Sequence, residues 1–159
     1  MVPVTHTTAD HLRTANDGDI GQLLRLWGLL FDEDDSRPEE EWRHRAREWF
    51  ARLVSEADHA RFPVIDVDGE IVATAIGTLE VGVPNPHCVQ GRTVRLANVI
   101  TVAEHRGRGY GTRLARDVID WARSIDADRV DLSATPEGRN LYETLGFTMT
   151  SAPRMKLVL

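Results

Sequence analysis

The sequence predicts a mixed α/β domain, and three observations carry that prediction. Two β-rich runs, 63–67 and 70–80, flank Asp68-Gly69, a dipeptide that supplies positive φ in a two-residue hairpin turn. Residues 93–133 read in order as strand, glycine-rich turn, helix and strand, and a helix joining two strands by a crossover implies a parallel pair. Two amphipathic helical patterns precede the strands. The sheet therefore mixes antiparallel and parallel neighbours.

The size and composition suit that class. At roughly 150 residues per domain, 159 residues make one domain spanning 1–159, with a core large enough to need no disulfide or metal. Hydrophobic residues at 42% and charged residues at 28% lie well away from the compositions of disordered chains. A net charge of -6 disfavours nucleic acid and anionic membrane surfaces, so an anionic ligand needs a local device to hold it. Cys88 is the one cysteine, which excludes an internal disulfide. No apolar run approaches the roughly 18 residues of a membrane span. Residues 1–8 read as a loose lead-in without the basic region and apolar run of a signal peptide, and a cytoplasmic protein is expected.

Each element has its own local reason. The segment 11–15 has short strand character, and Asn16-Asp17-Gly18-Asp19 then breaks the chain and offers Asp17 or Asp19 as a helix cap. Ile20, Leu23, Leu24, Trp27 and Leu30 follow at helical spacing over 19–31. After the acidic run Asp32 to Asp35, Ser36 and Glu39 have capping-box spacing with Pro38 between them, predicting a second helix to about Glu56. Its apolar positions Trp42, Ala46, Trp49, Phe50 and Leu53 share one face. Beyond the hairpin come a loop with Gly82, Pro84, Asn85 and Pro86, a strand Thr93–Thr101, a helix of about 109–125, a strand 129–133, a short helix of about 137–145 and strand material from Phe147.

The most informative stretch is Arg106-Gly107-Arg108-Gly109-Tyr110-Gly111, followed by Thr112, between an apolar strand and a helix. Alternate glycines let a backbone approach a ligand closely with its N–H groups turned inward, and the helix start adds partial positive charge. Arg106, Arg108, Arg113 and Arg116 concentrate there the cations that the whole chain lacks. A P-loop requires a following Gly-Lys-Ser/Thr and a dinucleotide fingerprint requires G-x-G-x-x-G; with Thr112 in the last place, neither is met. The turn reads as a phosphate cradle, with a plain strand-to-helix closure as the bland alternative.

The residues Arg106-x-x-Gly109-x-Gly111 and the later Leu141-Tyr142-Glu143-x-Leu145-Gly146-Phe147 resemble, in order and separation, the signature elements of the GNAT superfamily of N-acetyltransferases. The likeness in element order extends from about residue 10. It implies a GNAT-like twisted sheet of six or seven strands flanked by about four helices, and an acetyl-CoA co-substrate. Its pyrophosphate would lie on Arg106, Gly107, Arg108, Gly109, Tyr110, Gly111 and Thr112, and its pantetheine and thioester on the backbone of Val99, Ile100 and Thr101. The resemblance also implies an amine acceptor attacked directly in a ternary complex, and it is compatible with a homodimer. Many relatives carry Asn seven positions ahead of the tyrosine, as a pantetheine contact; here Thr135 stands there.

Acyl transfer needs a neutral amine, an oxyanion site, a proton for the departing thiolate, and close placement of the reactants. A phenol with a reference pKa of about 10 stays protonated at neutral pH, and the family pattern makes Tyr142 the general acid. By position alone it reads better as an amphipathic packing residue. No general base is legible: the strand Thr93–Thr101 carries no carboxylate, Asn98 can position a water, and Glu80 at the end of the preceding strand or His87 in the following loop can face the cleft, although each reads better as an exposed residue. The acidic run with Glu39, Glu40 and Glu41 can draw a cationic acceptor or simply face solvent. The six histidines and Cys88 have no clustered ligand spacing, and no metal is expected. Two other classes stay open: an acyl-CoA-binding sensor or partner-binding domain without turnover, and, more remotely, a nucleotide-binding dehydrogenase.

Overall fold

A computed structural model describes residues 9–31 and 40–159, with Glu40 described by its backbone. The lead-in, the acidic run Asp32 to Asp35, and the capping box Ser36/Glu39 with Pro38 lie outside the described residues.

The chain forms β1 (Asp10–Thr14), α1 (Ile20–Gly28), α2 (Glu40–Leu53), β2 (Ala60–Arg61), β3 (Pro63–Val67), β4 (Glu70–Val81), β5 (Arg92–Thr101), α3 (Tyr110–Ser124), β6 (Arg129–Asp131) and α4 (Arg139–Thr144). The six strands make one sheet in the order β1-β3-β4-β5-β6, with β2 paired to β4. All pairs are antiparallel except β5 with β6, the parallel pair joined across α3. The Asp68-Gly69 turn has φ of 52° and 85°, both in the left-handed region that a tight hairpin requires. β2 and β3 lie end to end along β4, broken at Phe62, whose ring packs with Trp49 and Phe50 and so seats α2 on the sheet.

The start of α1 corrects the expected cap. Asn16, rather than Asp17 or Asp19, caps a 3-10 turn at Asp17–Asp19: its side chain accepts from Gly18 N–H while Asp19 accepts from Asn16 N–H. Asp19 is buried instead against Arg13, which donates to both of its oxygens at 2.7 and 2.9 Å and also reaches Asp66. Those hydrogen bonds, Arg13 foremost, hold the Asp19 carboxyl below the usual carboxylate range against the opposing effect of burial. Leu30, predicted on the apolar face, is instead exposed, and Leu26 is buried.

Helices cover both faces. α1 and α2 lie over one cluster with Leu23, Leu26, Phe62, Val64, Ile71 and Ile100; α3 lies over the other with Ile65, Val72, Val94, Leu96, Leu114 and Val118. Close approach of α3 to β4 is allowed by Gly77, where a Cβ would stand 2.8 Å from Val118. At the far end, Asp128 accepts from the N–H groups of Gln90 and Arg92 and from the Cys88 thiol, fastening the loop 82–91 to the start of β6.

The last predicted strand is absent: residues 147–159 carry no strand. The pattern of residues 155–159 suits a strand, but among the described residues the segment pairs with no sheet edge, and an unpaired strand is not stable alone. Among the described residues no helix is long and apolar enough to cross a membrane.

Candidate active site

The sheet opens at the strand that the sequence singled out. β6 pairs with β5 only from Thr93–Arg129 to Arg95–Asp131. Beyond Arg95 the pairing stops, and among the described residues the β6-facing edge of β5 has no strand neighbour through Thr101. Arg95 donates to the Ser133 hydroxyl at 3.0 Å, tying the closed end of this wedge.

A bulge lies inside the opening. Ile76 is opposite Ala97 and Thr74 is opposite Ile100, so Asn98 and Val99 together face Ala75. Asn98 takes φ 53°, a left-handed value that Asn tolerates better than most residues. The extra residue shifts the phase of the strand: Val94 and Leu96 face α3, then Val99 does, and Ile100 turns to the α1 side. Asn98 and Val99 thus have no register partner on β4, at the level where β5 has also lost β6 on its other side. An extended amide chain can use such an edge as a strand would.

The glycine-rich turn closes one end of the wedge. Gly107 and Gly109 have φ of 78° and 77°, and a Cβ on either would meet nothing within 4 Å. Space above the turn is open. Gly109 caps α3 with no side-chain hydrogen bond, so the first N–H groups of a 15-residue helix lack a side-chain acceptor. The four arginines divide: Arg106 Nε donates to the Thr101 carbonyl at 3.1 Å, Arg113 pairs with Asp10 at 2.9 Å, and Arg108 and Arg116 make no hydrogen bond or ion pair among the described residues. Uncapped donors, open space and unspent positive charge fit a pyrophosphate. Tyr110 has only its backbone to offer such a ligand, because its side chain is buried and its hydroxyl donates to Asp10. Arg113 first and then the Tyr110 hydroxyl lower the Asp10 pKa.

α4 packs against the same region through Leu141. Leu145 ends the helix, Gly146 takes φ 99°, Phe147 N–H donates to the Tyr142 carbonyl and Gly146 N–H to that of Glu143. This is a Schellman motif, and its usual apolar contact is the edge-on pair of Tyr142 and Phe147, 5.9 Å between ring centres. The Leu-Tyr-Glu-x-Leu-Gly-Phe element is thus a device that fixes the tyrosine ring. Leu141 and Val99 both pack over Gly111, where a Cβ would stand 3.2 Å and 3.6 Å from them, so the bulge, the helix start and α4 meet at one glycine. Tyr142 is half-buried, burial raises its pKa, and its hydroxyl has no hydrogen-bond partner among the described residues. Thr135 serves the turn before α4, its hydroxyl accepting from Gly138 N–H at 3.2 Å.

Other sequence candidates fall elsewhere. Glu80 is opposite Thr93, five residues and therefore about 17 Å along the sheet from the bulge, and His87 is farther out on the hairpin loop. Glu41 is exposed and pairs with Arg45. Among the described residues no group of three or more His, Cys, Asp or Glu could hold a metal. Sequence reasoning missed Asp10 and the Arg95–Ser133 tie, for which nothing local gives a signal. The bulge did leave one, an Asn within an otherwise apolar strand.

The comparisons with known proteins agree with this geometry. A model of the acetyltransferase (GNAT) family matches residues 23–147. An uncharacterized N-acetyltransferase of Bacillus subtilis (strain 168) is 36% identical over 59 residues, a stretch covering 35% of this chain and 24% of that protein. Among solved structures, a "predicted acetyltransferase with acetyl-CoA" from Clostridium acetobutylicum superposes with a TM-score of 0.82 at 20% identity, covering 94% of this chain and 96% of that one. Glucosamine-6-phosphate N-acetyltransferase from Arabidopsis thaliana gives 0.76 at 20% identity, covering 94% and 98%. With its open wedge, uncapped glycine turn and matched motifs, the chain belongs to the GNAT family of acetyltransferases.

Proposed function

We propose that the protein transfers an acetyl group from acetyl-CoA to a primary amine of a small molecule or peptide, by direct attack within a ternary complex. The observation that carries this reading is the meeting of Val99, Gly111 and Leu141, where the open strand edge and the uncapped start of α3 come against the helix that carries Tyr142. The turn from Arg106 to Thr112 holds the pyrophosphate, with Arg108 and Arg116 supplying charge. The edge formed by Val99, Ile100 and Thr101 pairs with the pantetheine amides, and a backbone N–H at the bulge stabilises the oxyanion as the amine adds to the thioester carbon. Tyr142 then gives its proton to the departing sulfur as the C–S bond breaks, and the proton that the nitrogen sheds as the amide forms passes to water, from which the phenol is reprotonated. Its burial keeps the phenol protonated above the ordinary range near 10, so the proton is present at any working pH. Placement of the two reactants supplies a further share of the rate.

The test is thiol release from acetyl-CoA across a library of amines. Turnover with an amine, abolished by Arg106→Ala with Arg108→Ala through lost donor binding, supports the reading. Donor binding without any CoA release would favour the sensor.

A further inference from the structure

A second gathering of arginines lies away from the glycine turn. Between α1 and α2 runs a groove of about 360 Å³ that shares no residue with the β5–β6 opening or with the turn. Arg25 faces it from α1, and Arg43 and Arg47 face it from α2. Among the described residues no carboxylate lines it, on a chain whose net charge is -6. Arg43 and Arg47 stand one turn apart, a spacing at which like charges on a helix repel. Little nearby offsets that. Arg25 reaches Glu70 only at 3.6 Å, with both side chains more than half exposed, and Arg47 makes no hydrogen bond or ion pair among the described residues. Arg43 is held differently: its guanidinium lies over the Trp42 ring, 4.8 Å from the ring centre, and against Gly28, where a Cβ would stand 3.2 Å from it. Gly28 thus seats a cation. Gly21, one face of α1 further back along the same groove, has no such neighbour: a Cβ there would meet nothing within 4 Å, although alanine would suit the helix better. Packing does not call for this glycine, whereas a ligand lying across α1 does.

We propose that the groove is a second ligand site, for a phosphate monoester with a small apolar body. Guanidinium groups bind phosphate oxygens through paired, charge-assisted hydrogen bonds, and a doubly charged group answers the charge that Arg25 and Arg47 leave unspent. Leu24 and Leu29 line the same groove and offer apolar surface to the body of the ligand. The bare backbone at Gly21 admits it close to the helix. Binding replaces the long, exposed contact of Arg25 with Glu70 by a stronger one. Nothing in this inference depends on the acetyl-transfer reading, which uses none of these residues.

The test is proton–nitrogen NMR of the full chain, titrated with phenyl phosphate at constant ionic strength. Saturable shifts are expected at the amides of Gly21, Gly28 and Arg47, while the amides of Gly107, Gly109 and Gly111 report separately any phosphate held at the glycine turn. Arg25→Gln with Arg47→Gln is expected to weaken binding at the groove about tenfold or more and to leave the response of those three glycines as in the wild type. Gly21→Leu keeps every charge and fills the open side of α1. It is expected to raise thermal stability through helix propensity, yet to abolish the shifts at Gly28 and Arg47. All three positions are exposed, so both variants keep the fold, which the same spectra check. Shifts confined to the glycine turn, groove shifts that chloride reproduces, or unchanged affinity in either variant overturn the proposal.

Discussion

The two sides of β5 differ in how the backbone is satisfied. Toward β4 the strand is paired except at the Asn98–Val99 bulge, and the strands beyond are locked by side chains: Arg13 of β1 on Asp19 and Asp66, and Arg61 of β2 on Asp117 of α3 at 2.8 Å. Toward β6 it is paired at three positions and then left open, with a bulge, a glycine turn and a short helix gathered around the gap. The paired side holds the geometry still, and the unpaired side offers hydrogen-bonding groups to a ligand. The proposed site sits where the sheet stops satisfying itself.

Four substitutions sharpen that contrast. The largest effect is expected on the open side: Tyr142→Phe should lower kcat about 100-fold, some 3 kcal/mol of activation free energy, with acetyl-CoA affinity unchanged by titration calorimetry. An equal loss of donor binding would assign the ring to packing. In the wild-type enzyme, any alkaline loss of kcat due to Tyr142 should fall above pH 10, because burial raises its pKa.

On the paired side, Arg13→Ala should cost about 2 kcal/mol in chemical denaturation by leaving Asp19 buried without its partner, while kcat in the remaining folded protein is retained. The pH dependence has a definite sign. A carboxyl whose folded pKa is depressed contributes stability that is present above its unfolded pKa, near 3.9, and lost as pH falls through the lower folded value. The wild-type protein should therefore lose this contribution below about pH 4, and Arg13→Ala should flatten that limb of a stability profile.

Gly109→Ala places a side chain at φ 77° where space is open, so the cost is backbone strain of about 1–2 kcal/mol. If the turn relaxes to avoid it, acetyl-CoA binding should weaken about tenfold, which a direct titration measures. The smallest effect is expected of Thr135→Asn. Asn can keep the turn's bond to Gly138 N–H and restore the amide contact of other family members, lowering KM for acetyl-CoA about two- to threefold.

Much of the paired side was legible in the sequence. Asp68-Gly69 dictates its hairpin because both turn residues need positive φ, and the strand and helix periods of 63–81 and 110–124 follow from which faces meet apolar surface. The open side was legible only as motifs. Arg106 to Thr112 and Leu141 to Phe147 could be read, but not that Leu141 packs over Gly111, nor that Gly146 and Phe147 hold the Tyr142 ring through a Schellman turn. Asn16 replaced the expected aspartates as cap because Asp19 was needed by Arg13, a partner that local spacing does not reveal.

By itself, then, the sequence determined the order and type of most elements, the glycine turn with its arginines, and the family those motifs resemble, because propensity, turn chemistry and period act over a few residues. The tertiary structure alone decided where β5 and β6 part, that Asn98 and Val99 share one opposing residue, that Asp10 engages Tyr110 and Arg113 from the far end of the chain, and that residues 155–159 find no edge to join. Each of these depends on which distant segment supplies the hydrogen-bond partner, and that is fixed only when the whole sheet and its helices have packed together.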